Sequence, residues 1–139
     1  MAYCPQGPFL SAAVFCEEAK QDGNGFLSLS RIIDHIVVVG ADPNVMPPTQ
    51  IVTTLVVIFR SGSFRGSHRI TMNQLCPSGL SVLLFSFPVF FQGEPDQGVG
   101  VIAKVGFVVA EPGLHWFEVS LDGQPKTSIP LNVSYGVRG

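Results

Sequence analysis

Residues that interrupt regular secondary structure are spread through this whole chain, and they limit what it can fold into. The 139 residues include 15 glycines and 11 prolines. Few segments run longer than about ten to fifteen residues without one of these breakers. No long segment repeats apolar residues at positions i, i+3, i+4 and i+7, the spacing of an amphipathic helix. We therefore predict short β-strands joined by turns.

Alternation of apolar and polar residues supports this prediction. The runs from Val101 to Val109 and from Ile129 to Tyr135 carry apolar residues at every second position. Because successive side chains of a strand point to opposite faces, such runs predict half-buried strands. In the run from Leu114 to Leu121, the same period predicts one outward and one inward set: Trp116, Glu118 and Ser120 outward, and Phe117, Val119 and Leu121 inward.

The number and spacing of these runs indicate the fold class. About eight short strands are typical of an all-β sandwich or barrel. We predict a single domain, residues 1–139, built as a two-sheet antiparallel sandwich of the immunoglobulin-like kind. Phe26 to Val39 is predicted as one strand, and its fully apolar part, Ile36 to Val39, indicates either burial on both faces or a bulge. A helix is the alternative for Ser11 to Gln21, where alanine, glutamate and lysine favour about two helical turns.

Two stretches carry a resemblance to known proteins. The opening third has Cys16-Glu17-Glu18, then Asn24-Gly25, Phe26-Leu27-Ser28-Leu29 and Ile32-Ile33-Asp34. The ending has Pro112-Gly113-Leu114-His115-Trp116-Phe117-Glu118-Val119, then Leu121-Asp122-Gly123 and Ile129-Pro130-Leu131-Asn132-Val133. Together they resemble a family of short bacterial single-domain proteins of unknown function, which implies no catalytic residues. The ending also resembles the final hairpin of immunoglobulin-like sandwiches, with His115 at the usual tyrosine position.

Composition favours self-association. Charged residues make up 13% of the chain against a usual value of about 25%, and the apolar fraction is 46%. We therefore expect a partner copy to cover some apolar surface, most simply in a homodimer. The apolar, uncharged stretch from Leu80 to Phe91 is predicted to lie either in the core or in a subunit interface. A segment of this composition promotes aggregation when it is exposed to solvent. The candidate interface residues are Phe85, Phe87, Phe90, Phe91 and Trp116.

Localisation is predicted from features that the sequence lacks. The beginning of the chain has no basic region followed by a cleavable apolar segment, so export is not expected. No apolar run approaches the ~20 residues of a spanning helix, so no membrane insertion is expected. The three cysteines, Cys4, Cys16 and Cys76, form no CxxC pair, and we expect them to be reduced in a cytoplasmic protein.

Basic residues are concentrated in the middle third. No Asp or Glu occurs from Pro43 to Gly93, whereas Arg60, Arg65, His68 and Arg69 lie within ten residues of one another. Such a patch could contact phosphate groups or an acidic protein. The patch has only three arginines and no interleaved aromatic residues that are expected to be exposed, which argues against nucleic acid as the partner.

No motif indicates a catalytic centre, a cofactor site or a metal site. The histidines at 35, 68 and 115 are too widely spaced for a compact ligand set. A Gly-x-Ser-x-Gly elbow and a glycine-rich phosphate loop are both absent. The preferred hypothesis is a non-enzymatic interaction or assembly module. The alternatives are binding of nucleic acid or an acidic partner through Arg60 to Arg69, and a ligand-binding or hydrolytic sandwich that uses His68 or His115.

Overall fold

The computed structural model describes residues 7–94 and 98–137, and within them every regular element is a β-strand. The all-β prediction is therefore confirmed, with nine strands in place of about eight. Their bounds are β1 Phe9–Gln21, β2 Leu27–Ile33, β3 His35–Gly40, β4 Thr49–Arg60, β5 Arg65–Leu75, β6 Ser81–Gln92, β7 Gly98–Val109, β8 Gly113–Leu121 and β9 Gln124–Val137. No described segment is a candidate for a membrane-spanning helix.

The strands form two sheets. One has four strands in the order β2-β1-β4-β7, and the other has five in the order β3-β9-β8-β5-β6. Neighbours pair antiparallel with one exception, because β3 runs parallel to β9. The expectation of a purely antiparallel sandwich is therefore wrong at this pair. The helix alternative for Ser11 to Gln21 is also wrong, since this segment lies within β1.

The predicted strand from Phe26 to Val39 is in fact two strands in different sheets. The chain leaves the four-stranded sheet after Ile33 and enters the five-stranded sheet at His35. Between them, the carbonyl of Asp34 accepts a hydrogen bond from the amide of Asn132 at 3.0 Å, which fixes the start of the parallel pairing. The sequence on both sides of Asp34 is apolar, so hydrophobicity alone did not reveal this switch.

The main core lies between the two sheets. The rings of Phe15, Phe107 and Phe117 form its centre, with centroid separations of 4.7 to 5.8 Å. In β8 the inward prediction is confirmed, since Phe117, Val119 and Leu121 are buried. Ser120 was predicted to face water but is buried, and its hydroxyl lies 3.5 Å from Oε1 of Glu118 on the same face of β8.

Two prolines lie where a strand lacks a second neighbour. Pro88 is in β6, the edge of the five-stranded sheet, where the sequence predicted an edge or a bulge. Pro130 is in the half of β9 that β3 does not reach, because β3 pairs only with residues 132–137. Since proline has no amide hydrogen to donate, both positions avoid the loss of a ladder hydrogen bond.

The four-stranded sheet carries a second buried layer on its outer side. β1 pairs with β4 only as far as Cys16, and the rest of β1 continues with β2 as a hairpin. Leu27 at the hairpin tip lines the same cavity as Ile58 and Gly98, at the far end of β4 and the start of β7. The hairpin therefore curls back across this outer side, and Val56 beneath it is fully buried.

Candidate functional site

An exposed apolar surface covers the middle of the outer side of the five-stranded sheet. β8 is the central strand of that sheet, and its Trp116 pairs in register with Leu75 of β5 and Pro130 of β9. We call this surface the Trp116 face. It consists of Leu75, Leu83, Leu114, Trp116 and Pro130.

Strand alternation explains why these side chains point outward. The neighbouring register row, Gln74, Phe117 and Ile129, faces the core and is buried. Because side chains alternate along each strand, the row through Trp116 must face the other way. Trp116 is 42% exposed, which confirms its predicted outward orientation. The sequence did not predict Leu75 as its neighbour, since this contact depends on the pairing of β5 with β8.

The Trp116 face contains no ionisable side chain. Glu118 lies next to it on β8, in the register row that pairs with Asn73. A large apolar patch with a polar border is the usual composition of a protein interaction surface. Leu83 continues the patch toward β6, since it pairs with Asn73 and is exposed.

The four candidate interface phenylalanines of β6 have different environments. Phe90 points outward and is 64% exposed. Phe85 and Phe87 are half-buried, with their rings stacked at a centroid distance of 5.1 Å, and both pack against the core. Phe91 is fully buried, with its ring against Phe59 and Phe64. Its assignment to an interface is therefore wrong, because it belongs to the core.

The outer edge of β6 has features that discourage direct strand pairing. No described strand pairs with that edge, and β6 contains no charged residue. Pro88 removes a backbone donor, and a bulge opposite Met72 and Asn73 breaks the regular ladder. Proline and bulges are common ways to protect an edge from edge-to-edge association. The Trp116 face is therefore a better candidate surface than the edge itself.

The structure divides the predicted basic patch. Arg65 and Arg69 lie in β5 on the five-stranded sheet, whereas Arg60 ends β4 on the four-stranded sheet. Arg69 donates a hydrogen bond from Nη1 to the hydroxyl of Ser86 at 3.1 Å. The side chain of His68 points to the opposite face of β5 from Arg69, and it forms a hydrogen bond with Asp122. The predicted patch is therefore shared between two sheets, and His68 is part of a pair with a carboxylate.

His68 and Asp122 form the most developed polar cluster among the described residues. Nδ1 of His68 donates to Oδ2 of Asp122, and Nε2 donates to the carbonyl of Arg65 at 2.9 Å. Oδ1 of Asp122 accepts the amide of Arg69 at 2.9 Å. The ring also stacks on Phe64 at a centroid distance of 4.1 Å. A surface cavity of about 240 Å³ adjoins the cluster.

This arrangement favours a charged pair. The carbonyl of Arg65 and the carboxylate of Asp122 raise the pKa of His68 above its usual 6.5, although burial of the ring opposes them. The amide of Arg69 and the ring of His68 lower the pKa of Asp122 below its usual 3.8. Both ring nitrogens already donate to acceptors. The cluster therefore leaves no ring nitrogen free to take a proton from a substrate, which favours a structural role.

His115 of β8 is fully buried. Its Nε2 donates to the carbonyl of Glu111 at 3.1 Å, and its Nδ1 accepts from Nε2 of Gln74 at 3.2 Å. Gln74 also donates to the carbonyl of Val108 at 3.1 Å. No solvent-facing ring nitrogen remains at this position.

The described residues contain no group of three or more metal-binding side chains. His35 is exposed, and its Nδ1 lies 2.9 Å from the carboxylate of the neighbouring Asp34. Cys16 is buried and Cys76 is partly buried, and neither forms a disulfide. Burial raises the pKa of both thiols. Cys4 lies outside the described residues.

Comparison with known proteins places the chain in a family without an assigned role. A family model described as a family of unknown function, DUF6941, matches residues 11–134, so the chain belongs to that family. No curated protein matches it. Among solved structures it is similar to the alkylpurine DNA glycosylase AlkC of Pseudomonas fluorescens bound to abasic-site DNA, at a TM-score of 0.37 and 12% identity. That alignment covers 70% of this chain and 27% of that one, and carries no argument about function.

Proposed function

We propose that this member of a family of unknown function is a non-enzymatic assembly module that forms a homodimer through its Trp116 face. The observation that carries the proposal is the half-exposed Trp116 on the central strand, with Leu75 and Pro130 beside it in register. A buried tryptophan at the centre of a contact is among the commonest sources of binding energy between proteins. Packing of two such faces would remove all three side chains from water.

Self-association is favoured over another partner because the face is uncharged. In a two-fold dimer the same patch supplies both sides, so any charge at its centre would meet its own copy. The Trp116 face has none, and therefore meets its copy without electrostatic repulsion. The low overall content of charged residues, 13%, agrees with a protein that covers apolar surface by association.

The two alternative functions have weaker support. Binding of nucleic acid or an acidic partner rests on Arg65 and Arg69, because Arg60 lies in the other sheet. A hydrolytic or ligand-binding role for His68 or His115 requires a free ring nitrogen, and each of these nitrogens is engaged with a protein group. A cytoplasmic location and an immunoglobulin-like arrangement of the sheets stay predictions of the sequence.

Trp116→Glu tests the proposal. The substitution places a like charge on both copies at the centre of the contact, so it is expected to convert the dimer to a monomer. Val52→Glu is the matched control, because Val52 is 62% exposed on the four-stranded sheet. Sedimentation velocity from low to high micromolar concentration measures the state of each protein, and circular dichroism checks that both variants fold.

Three results would support the proposal together: a dimeric parent, a monomeric Trp116→Glu variant and a dimeric Val52→Glu variant. A parent that stays monomeric at high micromolar concentration would overturn it. A dimer that persists in Trp116→Glu, or that is lost equally in Val52→Glu, would assign the contact to another surface.

A further inference from the structure

A cavity on the opposite side of the molecule from the Trp116 face has the features of a small-molecule site. Its volume is about 450 Å³, within the range of about 300–1,000 Å³ that such sites occupy. One wall is the tip of the β1–β2 hairpin, with Phe26 and Leu27. The other wall is the outer side of β4 and β7, with Ile58, Arg60 and Ile102.

The hairpin tip is held in one conformation. Oδ1 of Asp22 accepts the amides of Asn24 at 2.8 Å and Phe26 at 3.1 Å. The amide of Asp22 in turn donates to the carbonyl of Phe26 at 2.9 Å. These bonds fix the backbone of Phe26, although its ring is 71% exposed. An apolar ring on a fixed backbone at a cavity wall is preorganised to contact an apolar ligand.

Arg60 brings a positive charge to this cavity. None of the ion pairs or side-chain hydrogen bonds formed within residues 7–94 and 98–137 involves its guanidinium. Among the described residues, none of those that line the cavity is acidic. Arginine binds carboxylate groups through two parallel hydrogen bonds, and that geometry suits an organic anion.

The floor of the cavity lacks side chains where β7 begins. Gly98 and Gly100 both line it. At Gly98 a Cβ atom would lie only 1.9 Å from the carbonyl oxygen of Phe59, so a larger residue does not fit there. At Gly100 no atom lies within 4 Å of an added Cβ. A side chain at this second position would therefore project into open space and occupy the cavity.

We propose that this cavity binds a small soluble organic anion with an apolar chain. Its carboxylate pairs with the guanidinium of Arg60, and its chain lies between Phe26 on one wall and Ile58 and Ile102 on the other. The site is separate from the proposed dimer contact, because it belongs to the four-stranded sheet. It adds a ligand-binding activity to the assembly role and does not depend on that role.

Octanoate and octan-1-ol are the matched probes, since they share an apolar chain and differ in the charge of the head group. Binding is followed by changes in the amide resonances of Gly98 and Gly100 and by calorimetry, with octanoate below its micelle concentration. Arg60→Gln is expected to weaken octanoate binding about ten- to hundredfold. The same variant should leave the weaker octan-1-ol binding unchanged. Gly100→Leu fills the cavity and should abolish both.

The amide spectrum away from the cavity checks that each variant folds. Arg60→Lys should retain part of the octanoate affinity, because it retains the positive charge. Three outcomes would overturn the proposal: no resonance change at Gly98 or Gly100, equal octanoate affinity in the parent and Arg60→Gln, or changes centred on Trp116. The oligomeric state does not enter these measurements, so the dimer proposal stands or fails separately.

Discussion

His68 and Asp122 are 54 residues apart in the chain, and their side chains join β5 to the turn between β8 and β9. The turn itself has two consecutive residues in the left-handed region, with φ values of 52° at Asp122 and 79° at Gly123. This is the conformation that Asp-Gly pairs favour in two-residue hairpins. Asp122 therefore shapes the turn with its backbone and attaches it to β5 with its carboxylate.

The contribution of the His68–Asp122 pair to stability is predicted to be greatest at mildly acidic pH. The folded-state pKa of His68 is raised above 6.5, so its contribution is complete below about pH 6.5 and is lost as pH rises through the folded value. The folded-state pKa of Asp122 is lowered below 3.8, so its contribution is complete above about pH 4 and is lost on further acidification. Urea denaturation across this range measures the free energy of unfolding.

Asp122→Asn removes the charge but keeps a side chain that tolerates the turn. We expect a loss of at most about 1 kcal/mol near pH 5.5, because water screens a half-exposed pair. The loss should shrink above neutral pH, where His68 of the parent is also neutral. An unaltered profile in Asp122→Asn would contradict the assignment.

The aromatic cluster between the sheets predicts a large difference between two phenylalanine substitutions. Phe117 is fully buried against Phe15 and Phe107, so Phe117→Ala should lower the free energy of unfolding by about 3–5 kcal/mol. Phe26→Ala should cost well under about 1 kcal/mol, because the ring is mostly in solvent. Chemical denaturation measures both. Comparable losses would mean that the core has a different centre.

Local patterns predicted the strands well where polar and apolar residues alternate. In β8 the sequence distinguished Phe117 from Trp116, because each residue's face follows from its place in the alternation. In β6 this signal is missing, since apolar residues occupy both faces from Val89 to Phe91. Phe91 was therefore assigned to an interface although it is buried.

Long-range pairing could not be predicted, because it depends on the order of strands in each sheet. The row that joins Leu75, Trp116 and Pro130 brings together three strands from distant parts of the sequence. The contact between Asp122 and His68 likewise depends on the position of β5 relative to the turn between β8 and β9. The cavity at Arg60 was missed for the same reason, since it forms only when the first hairpin curls over β4 and β7.

The two described cysteines are predicted to differ in reactivity. Burial raises the pKa of both thiols, and Cys16 is fully buried whereas Cys76 is partly exposed. Since the thiolate is the reactive form, both should alkylate slowly at neutral pH, with Cys76 faster than Cys16. Peptide mass spectrometry after timed labelling measures each rate. Equal rates in denaturant provide the control, and a faster Cys16 in the folded protein would contradict the packing of β1.

The buried pair of Gln74 and His115 is predicted to be energetically coupled. His115→Leu removes the partner of the Glu111 carbonyl and of one side-chain amide hydrogen of Gln74. Gln74→Leu removes the side-chain donor to the Val108 carbonyl and to Nδ1 of His115. Each change should cost about 1–3 kcal/mol, because a buried polar group loses its hydrogen bond. The double variant loses the shared bond only once, so its loss of unfolding free energy should be about 1 kcal/mol smaller than the sum of the two single losses.

The exposed hydroxyl pair of Thr71 and Ser86, 3.1 Å apart, is the control cycle and should show almost no coupling. Additive losses at Gln74 and His115 would mean that the two side chains do not share a hydrogen bond in solution.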